Sequence, residues 1–68
     1  MRTKVVPAPE SVFETAETLQ DFLEDQARKV EQEFLGGVSF IIPTSVGGGE
    51  TPRSQAFVFC VSGGEMDA

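Results

Sequence analysis

One stretch of the chain, residues 12–34, repeats apolar side chains with the spacing of a helix, and this repeat restricts the possible folds more than any other feature. The apolar positions recur every three or four residues, at Val12, Ala16, Leu19, Leu23, Ala27, Val30 and Phe34. This spacing predicts one amphipathic α-helix with a continuous apolar stripe. Ser11 followed by Glu14 fits a capping box, so we expect Ser11 to be the N-cap. Gly36 and Gly37 are expected to end the helix as C-cap glycines.

Short runs of β-type sequence lie on both sides of this helix. Arg2–Val6 precedes it and is expected to form a strand at an edge or an end of the sheet, because Pro7 cannot donate a ladder hydrogen bond. Val38–Ile42 and Gln55–Ser62 follow the helix and read as two further strands. The sequence therefore predicts an α+β fold, in which one long amphipathic helix packs on a small, mainly antiparallel three-stranded sheet in the order β-α-β-β.

Both C-terminal strands carry apolar side chains on both of their faces. We expect the helix to cover the face that bears Phe40, Ile42, Phe57 and Phe59. The opposite face would then display Ile41, Ala56, Val58 and Cys60. In an antiparallel sheet with one solvent-exposed face, apolar and polar residues normally alternate along each strand. These four residues are therefore predicted to form an oligomer interface, and a modest exposed patch on a monomer is the alternative.

The length of 68 residues allows one domain with a small core. We expect this domain to span residues 1–62 and residues 63–68 to be a flexible C-terminal tail. Domains of this size usually need a disulfide, a metal or a partner copy. Cys60 is the only cysteine and histidine is absent, so an internal disulfide is excluded and a metal site is not expected. Self-association as a homo-oligomer is the remaining source of stability.

The net charge of −6 lies entirely on the predicted helix. Residues 10–34 include eight acidic and two basic side chains, while the rest of the chain has three of each. Such a surface repels nucleic acid and anionic membranes, so neither is expected as a partner. The chain has no apolar run close to the ~20 residues that span a bilayer and no apolar region of signal-peptide type. With its lone cysteine, the sequence predicts a cytoplasmic protein.

Few residues of this chain suit catalysis. Histidine, the commonest general base, is absent, and so are Tyr and Trp. Cys60 lies between Phe59 and Val61 without a base beside it, which is typical of a buried structural thiol. The acidic residues are expected to form a solvated helix face, and an acidic surface that mimics a nucleic-acid backbone is the alternative. We therefore expect no catalytic residue, no cofactor and no enzymatic activity.

The segment Thr44–Ser54 is predicted to be a long loop with binding chemistry. Its three successive glycines can bring backbone N–H groups together on an anion, and the guanidinium of Arg53 can bind phosphate with two parallel hydrogen bonds. The predicted ligand-binding residues are Ser45, Gly47, Gly48, Gly49, Thr51, Arg53 and Ser54. The segment does not match a Walker A motif. A hairpin connection without a ligand is the alternative interpretation.

The order of elements also carries a resemblance. A short basic strand, an acidic helix ending in Glu33–Phe34–Leu35, and strands at Val38–Ile42 and Ala56–Val61 resemble small β-α-β-β proteins encoded by phages and by spore-forming bacteria. Some compact phage proteins of this size counter bacterial immunity. They sequester cyclic or ADP-ribose-type nucleotide signals in oligomeric pockets, or they block a defence protein. The resemblance implies an anti-defence role in the host cytoplasm and assigns no site residue.

Two functions follow as expectations. The first is a non-enzymatic oligomeric binding protein that sequesters a small phosphate-bearing ligand, such as a nucleotide immune signal, at residues 45–54. The alternative is a protein–protein inhibitor or interaction module that acts through its acidic helix or its apolar sheet face. An enzyme would require subunits to assemble a site from Glu50, Arg53 and neighbouring hydroxyls.

Overall fold

The computed structural model describes residues 1–63, which contain one α-helix and three strands. The elements in chain order are β1 (Arg2–Pro7), a 3-10 turn (Glu10–Phe13), α1 (Ala16–Phe34), β2 (Gly37–Gly48) and β3 (Thr51–Ser62). The sheet order is β1-β3-β2, and both pairs of neighbouring strands are antiparallel. The predicted β-α-β-β arrangement is therefore confirmed. The predicted flexible tail lies outside the described residues, except for Gly63.

Strand β1 is an edge strand, and it pairs within its own sheet. Arg2 lies opposite Val61 at one end of the pair, and Pro7 lies opposite Ala56 at the other end. The edge position suits Pro7, which has no N–H to donate. The next residue, Ala8, donates its N–H to the carbonyl oxygen of Gln55 at 2.9 Å. The start of the chain is thus held along the central strand β3 up to the point where the 3-10 turn begins.

Helix α1 begins later than the sequence predicts. Residues 10–13 form the separate 3-10 turn, and Thr15 is the N-cap of α1. The Oγ1 atom of Thr15 accepts a hydrogen bond from the N–H of Thr18 at 3.0 Å. The prediction that Ser11 caps the helix in a box with Glu14 is wrong. Thr15 meets the requirement for an N-cap equally well, because its hydroxyl oxygen accepts the N–H three residues later. The apolar periodic residues of the helix also follow it.

Tertiary contacts explain the separate 3-10 turn. Val12 is buried at 7% exposure, and the ring of Phe13 stacks on the ring of Phe57 in β3 with 5.9 Å between centroids. These contacts hold the turn against the end of the sheet. The apolar repeat continues through both the turn and the helix, because both place residues three or four apart on the same side. Periodicity alone could not separate the two elements.

The end of α1 also differs from the prediction. Leu35 is the residue in the left-handed region, with φ at 57°, and its N–H donates to the carbonyl oxygen of Glu31 at 2.9 Å. The expected cap glycines do not adopt this conformation. A Cβ atom on Gly36 would lie 3.0 Å from the carbonyl oxygen of Ser62. Gly36 is therefore small because β3 passes close to it, and an exposed leucine takes the strained position.

The core lies between α1 and the inner face of the sheet, which is the face toward the helix. Its central side chains are Phe57, Phe59 and Val61 of β3, together with Val6 of β1 and Val30 of α1. Further apolar side chains pack around this cluster, namely Leu19, Phe22, Leu23, Ala27, Phe34, Val38 and Ile41. The prediction that the apolar stripe of the helix covers Phe57 and Phe59 is confirmed.

A β-bulge at Ser39 changes which residues of β2 face the helix. Val38 lies opposite Val61, but Phe40 lies opposite Cys60, so one residue of β2 has no partner in β3. The N–H of Val38, beside the bulge, donates to a carboxylate oxygen of Glu31 in α1 at 2.9 Å. A bulge inserts one extra residue and so reverses the alternation of faces beyond it.

The bulge overturns two predictions about faces. Ile41 lies opposite Phe59 and packs against the core, so it does not share the outer face with Val58. Phe40 and Ile42 are 48% and 45% exposed and point away from the helix. The prediction that α1 covers these two side chains is wrong.

Strands β2 and β3 also extend through the segment predicted to be a loop. Each strand has 12 residues, and the ladder between them continues to the pair Gly48 and Thr51. Gly49 and Glu50 form the two-residue turn between the strands. The long loop at Thr44–Ser54 is therefore a β-hairpin.

Candidate interaction surface

The seven residues predicted to bind a ligand lie along this hairpin. Ser45 is opposite Gln55, Val46 is opposite Ser54, and a second bulge follows between Val46 and Gly48. Residues directly opposite each other in an antiparallel pair share a face. Ser45 and Gln55 therefore lie on the inner side, and Ser54 lies on the outer side. The structure does not bring all seven residues to one face.

The glycines of the hairpin determine the path of the backbone. Gly47, Gly48 and Gly49 have φ angles of 99°, 116° and 62°. A Cβ atom on Gly47 would lie 2.5 Å from the carbonyl oxygen of Pro52, closer than any real contact allows. Gly49 is the first residue of the turn, and a positive φ there is what a two-residue type II′ hairpin requires. The positive φ angles at the second bulge and in the turn thus account for the three glycines that suggested an anion site in the sequence.

Arg53 and Ser45 are the predicted site residues that meet. The Nη2 atom of Arg53 donates to the Oγ atom of Ser45 at 2.8 Å, and the pair is exposed. The guanidinium crosses from β3 to β2, and its Nη1 atom would lie 3.6 Å from a Cβ atom on Gly48. A polar cross-strand pair of this kind supports the hairpin register. It also leaves other guanidinium N–H groups free to face solvent.

The outer face of the sheet, which is the face away from α1, is mainly apolar and has no layer upon it within residues 1–63. Register places the outward residues of β1 and β3 on this face, namely Thr3, Val5, Pro7, Ser54, Ala56, Val58, Cys60 and Ser62. The outward residues of β2 beside them are Phe40, Ile42, Thr44 and Val46. Four large apolar side chains on this face are exposed, namely Val5 (48%), Phe40 (48%), Ile42 (45%) and Val46 (37%).

The centre of the outer face is formed by small residues. Ala56 and Cys60 lie in the central strand, between larger residues of β1 and β2, and are 1% and 4% exposed. Cys60, for example, lies between Thr3 of β1 and Phe40 of β2. The predicted interface residues Ala56, Val58 and Cys60 thus lie on the outer face. The most exposed part of that face comes from other residues.

Charged side chains of the strands avoid the outer face. Arg2 lies opposite Val61 on the inner side, donates to the carbonyl oxygen of Phe34 and places its guanidinium 5.1 Å from the centre of the Phe34 ring. Lys4 lies on the same side and pairs with Glu33 of α1 at 3.2 Å. Arg53 bonds Ser45 on the inner side. All outward positions of the three strands are therefore uncharged, on a chain whose net charge is −6.

Sequence reasoning missed Val5, Phe40, Ile42 and Val46 as members of the outer face. The alternation of Val38–Ile42 assigned Phe40 and Ile42 to the helix side, since nothing in the sequence indicates a bulge at Ser39. The Gly- and Ser-rich composition around Val46 predicts a loop there, which conceals its place in β2. One signal in the sequence indicates that Val46 belongs to a strand. Gly49–Glu50 lies between two β-type runs, which fits a hairpin with a two-residue turn.

No cavity is found in the described part of the chain. Within residues 1–63, no helix has both the length and the apolar character that crossing a bilayer demands. Searches of protein-family models, of curated proteins and of solved structures give no match to this chain.

Proposed function

We propose that this chain is a non-enzymatic protein-interaction module that binds through the outer face of its sheet. One observation carries the proposal: this face is uncharged, eight of its twelve outward residues are apolar, and no described residue packs on it. Sheets that face water on one side normally have polar residues there. A contiguous apolar patch on a small protein is typical of a docking surface.

The position of the exposed residues supports this function. Phe40 and Ile42 lie on the outer face of edge strand β2, and Val5 lies on the opposite edge strand β1. Between them, Ala56 and Cys60 form a low central strip. A partner that covers the sheet would contact mainly the larger side chains on both edges, because Ala56 and Cys60 are 1% and 4% exposed.

Photo-crosslinking in cells tests the proposal. A photoreactive amino acid is placed at Ile42 on the outer face, or at Leu35 as the control. Leu35 is apolar and 59% exposed but lies at the end of α1. We expect a discrete crosslinked product from position 42 and none from position 35, with its components identified by mass spectrometry. The absence of a discrete product at position 42, or the same product at both positions, would contradict the proposal.

Sequestration of a phosphate-bearing ligand remains a second candidate function, because Arg53 and Ser45 meet on one exposed surface of the hairpin. In this function Arg53 would exchange its bond to the Ser45 hydroxyl for a stronger one to phosphate. Titration calorimetry with ADP-ribose and with a cyclic dinucleotide tests it. Arg53→Ala is expected to abolish heat of binding that Arg53→Lys partly keeps. No binding by the unmodified protein, or unchanged binding by Arg53→Ala, would exclude this site.

A further inference from the structure

We infer that the occupant of the outer sheet face is a second copy of this chain, packed sheet against sheet in a two-fold dimer. This inference rests on the proposed function, and it names the partner. The two sheets would pack as in a β-sandwich, with the outward side chains of each sheet between those of the other. Each helix would then lie on the outside of the dimer.

The distribution of charge favours a second copy over a charged partner. The outward positions of β1, β2 and β3 are uncharged, while six of the eleven acidic residues lie on α1 and the basic residues of the strands lie on the inner face. A face that binds a basic or an acidic protein usually carries complementary charge, which speeds and orients the encounter. A neutral face is suited to meet an identical neutral face, as a two-fold interface requires.

The acidic helices do not oppose this packing. Two facing sheets lie about 10 Å apart, and each helix axis lies about 10 Å beyond its own sheet. The two helices of the dimer are therefore roughly 30 Å apart, which is several times the Debye length of ~8 Å at physiological salt. Repulsion between the two copies, each with a net charge of −6, is largely screened in this arrangement.

The size of the face predicts a weak dimer. The strands have 6, 12 and 12 residues, and each residue occupies about 16 Å² of the sheet plane, so one copy offers about 500 Å². Two copies would bury roughly 1,000 Å² in total, near the lower limit for stable interfaces. We therefore expect a dimer that dissociates on dilution.

The small core gives a thermodynamic reason for this packing. Among the described residues, Phe59 and Val61 are the largest side chains that are fully buried. Chains of this length bury too little surface to be stable with a large margin. A second sheet would bury Phe40, Ile42 and Val5, and it would convert two layers into four. Binding to the folded state then stabilises it by an amount that grows with the logarithm of protein concentration.

Sedimentation velocity over a series of protein concentrations tests the inference. The matched variants are Ile42→Lys and Phe40→Lys on the outer face and Leu35→Lys at the end of α1. All three place a lysine at an apolar side chain that is at least 45% exposed, so the fold should persist, and circular dichroism checks it. We expect reversible dimerisation from micromolar to millimolar concentrations. Each outer-face variant should weaken it more than about tenfold, because an unpaired charge would be buried.

The salt dependence of dimerisation provides a second test. Since the outer face is uncharged, raising the salt concentration should leave dimerisation unchanged or strengthen it, and Leu35→Lys should dimerise like the unmodified protein. A protein that stays monomeric up to millimolar concentration would overturn the inference, as would a dimer that Ile42→Lys and Phe40→Lys leave intact. A monomer whose position 42 crosslinks to a different protein would overturn the dimer and leave the proposed function standing.

Discussion

Phe40 lies directly opposite Cys60 in the ladder between β2 and β3, and its ring is therefore on the outer face of the sheet. The preceding apolar residue of β2, Val38, lies opposite Val61 on the inner face. The single unpaired residue between them, Ser39, produces this change. It gives the outer face its two largest exposed side chains, and it supplies Ile41 to the core.

The bulge can be tested with adjacent isoleucines. Ile41→Ala should lower the free energy of unfolding by about 2 kcal/mol, at the low end for buried aliphatic truncations because Ile41 is partly buried. Ile42→Ala should cost less than about 1 kcal/mol in dilute protein, where the outer face is exposed to water. Urea denaturation measures both values. A larger cost at Ile42 than at Ile41 would mean that no bulge exists and that the alternation read from the sequence is correct.

The N-cap assignment predicts unequal effects at two hydroxyl residues. Thr15→Ala removes the acceptor of the Thr18 N–H and should destabilise the protein by about 1 kcal/mol. Ser11→Ala, in the 3-10 turn, should change stability by less than about 0.5 kcal/mol. Thermal or urea unfolding provides the comparison. The reverse order would restore the capping box predicted from the sequence.

The left-handed conformation of Leu35 predicts a stabilising substitution. Leu35→Gly should raise the free energy of unfolding by about 0.5–1 kcal/mol, because relief of ~1–2 kcal/mol of strain exceeds the entropic cost of glycine. Leu35 is 59% exposed, so little packing is lost. Gly36→Ala should instead destabilise, since its Cβ atom would lie 3.0 Å from the carbonyl oxygen of Ser62. Loss of stability in Leu35→Gly would contradict this account of the helix end.

Two basic residues of β1 should differ in their contribution. Arg2→Ala removes the hydrogen bond to the carbonyl at the end of α1 and the contact with the Phe34 ring, and it should cost about 1–2 kcal/mol. Lys4→Ala removes an exposed ion pair with Glu33 and should cost less than about 0.5 kcal/mol. Denaturation at low and high salt distinguishes the two. Equal losses at Arg2 and Lys4 would contradict the larger contribution assigned to the two contacts of Arg2 with Phe34.

The hairpin predicts a graded response among its glycines. Gly47→Ala places a Cβ atom 2.5 Å from the Pro52 carbonyl oxygen at a φ of 99°, and it should cost more than Gly49→Ala, which has open space around it. The cost of a left-handed alanine alone is about 1–2 kcal/mol. Hydrogen exchange of the amides from Thr44 to Gln55 should rise most in Gly47→Ala. Fast exchange of these amides in the unmodified protein would instead support the flexible loop predicted from the sequence.

The sequence by itself determined the existence of α1 between β1 and β2, the order of elements and the antiparallel sheet. These features depend on local patterns: a period of 3.6 residues along residues 12–34, and β-type runs on both sides of it. It also identified the inner residues of β3, Phe57 and Phe59, because a regular strand alternates its faces without interruption.

Only the tertiary structure decided which residues of β2 face the helix, where α1 begins and ends, and that residues 44–54 form a hairpin. Each of these depends on contacts between distant parts of the chain. The bulge at Ser39 accompanies the bond from the Val38 N–H to Glu31 in α1, and the late helix start accompanies the stacking of Phe13 on Phe57. The outer face follows from register, which is a relation between strands, and no pattern within a single strand specifies it.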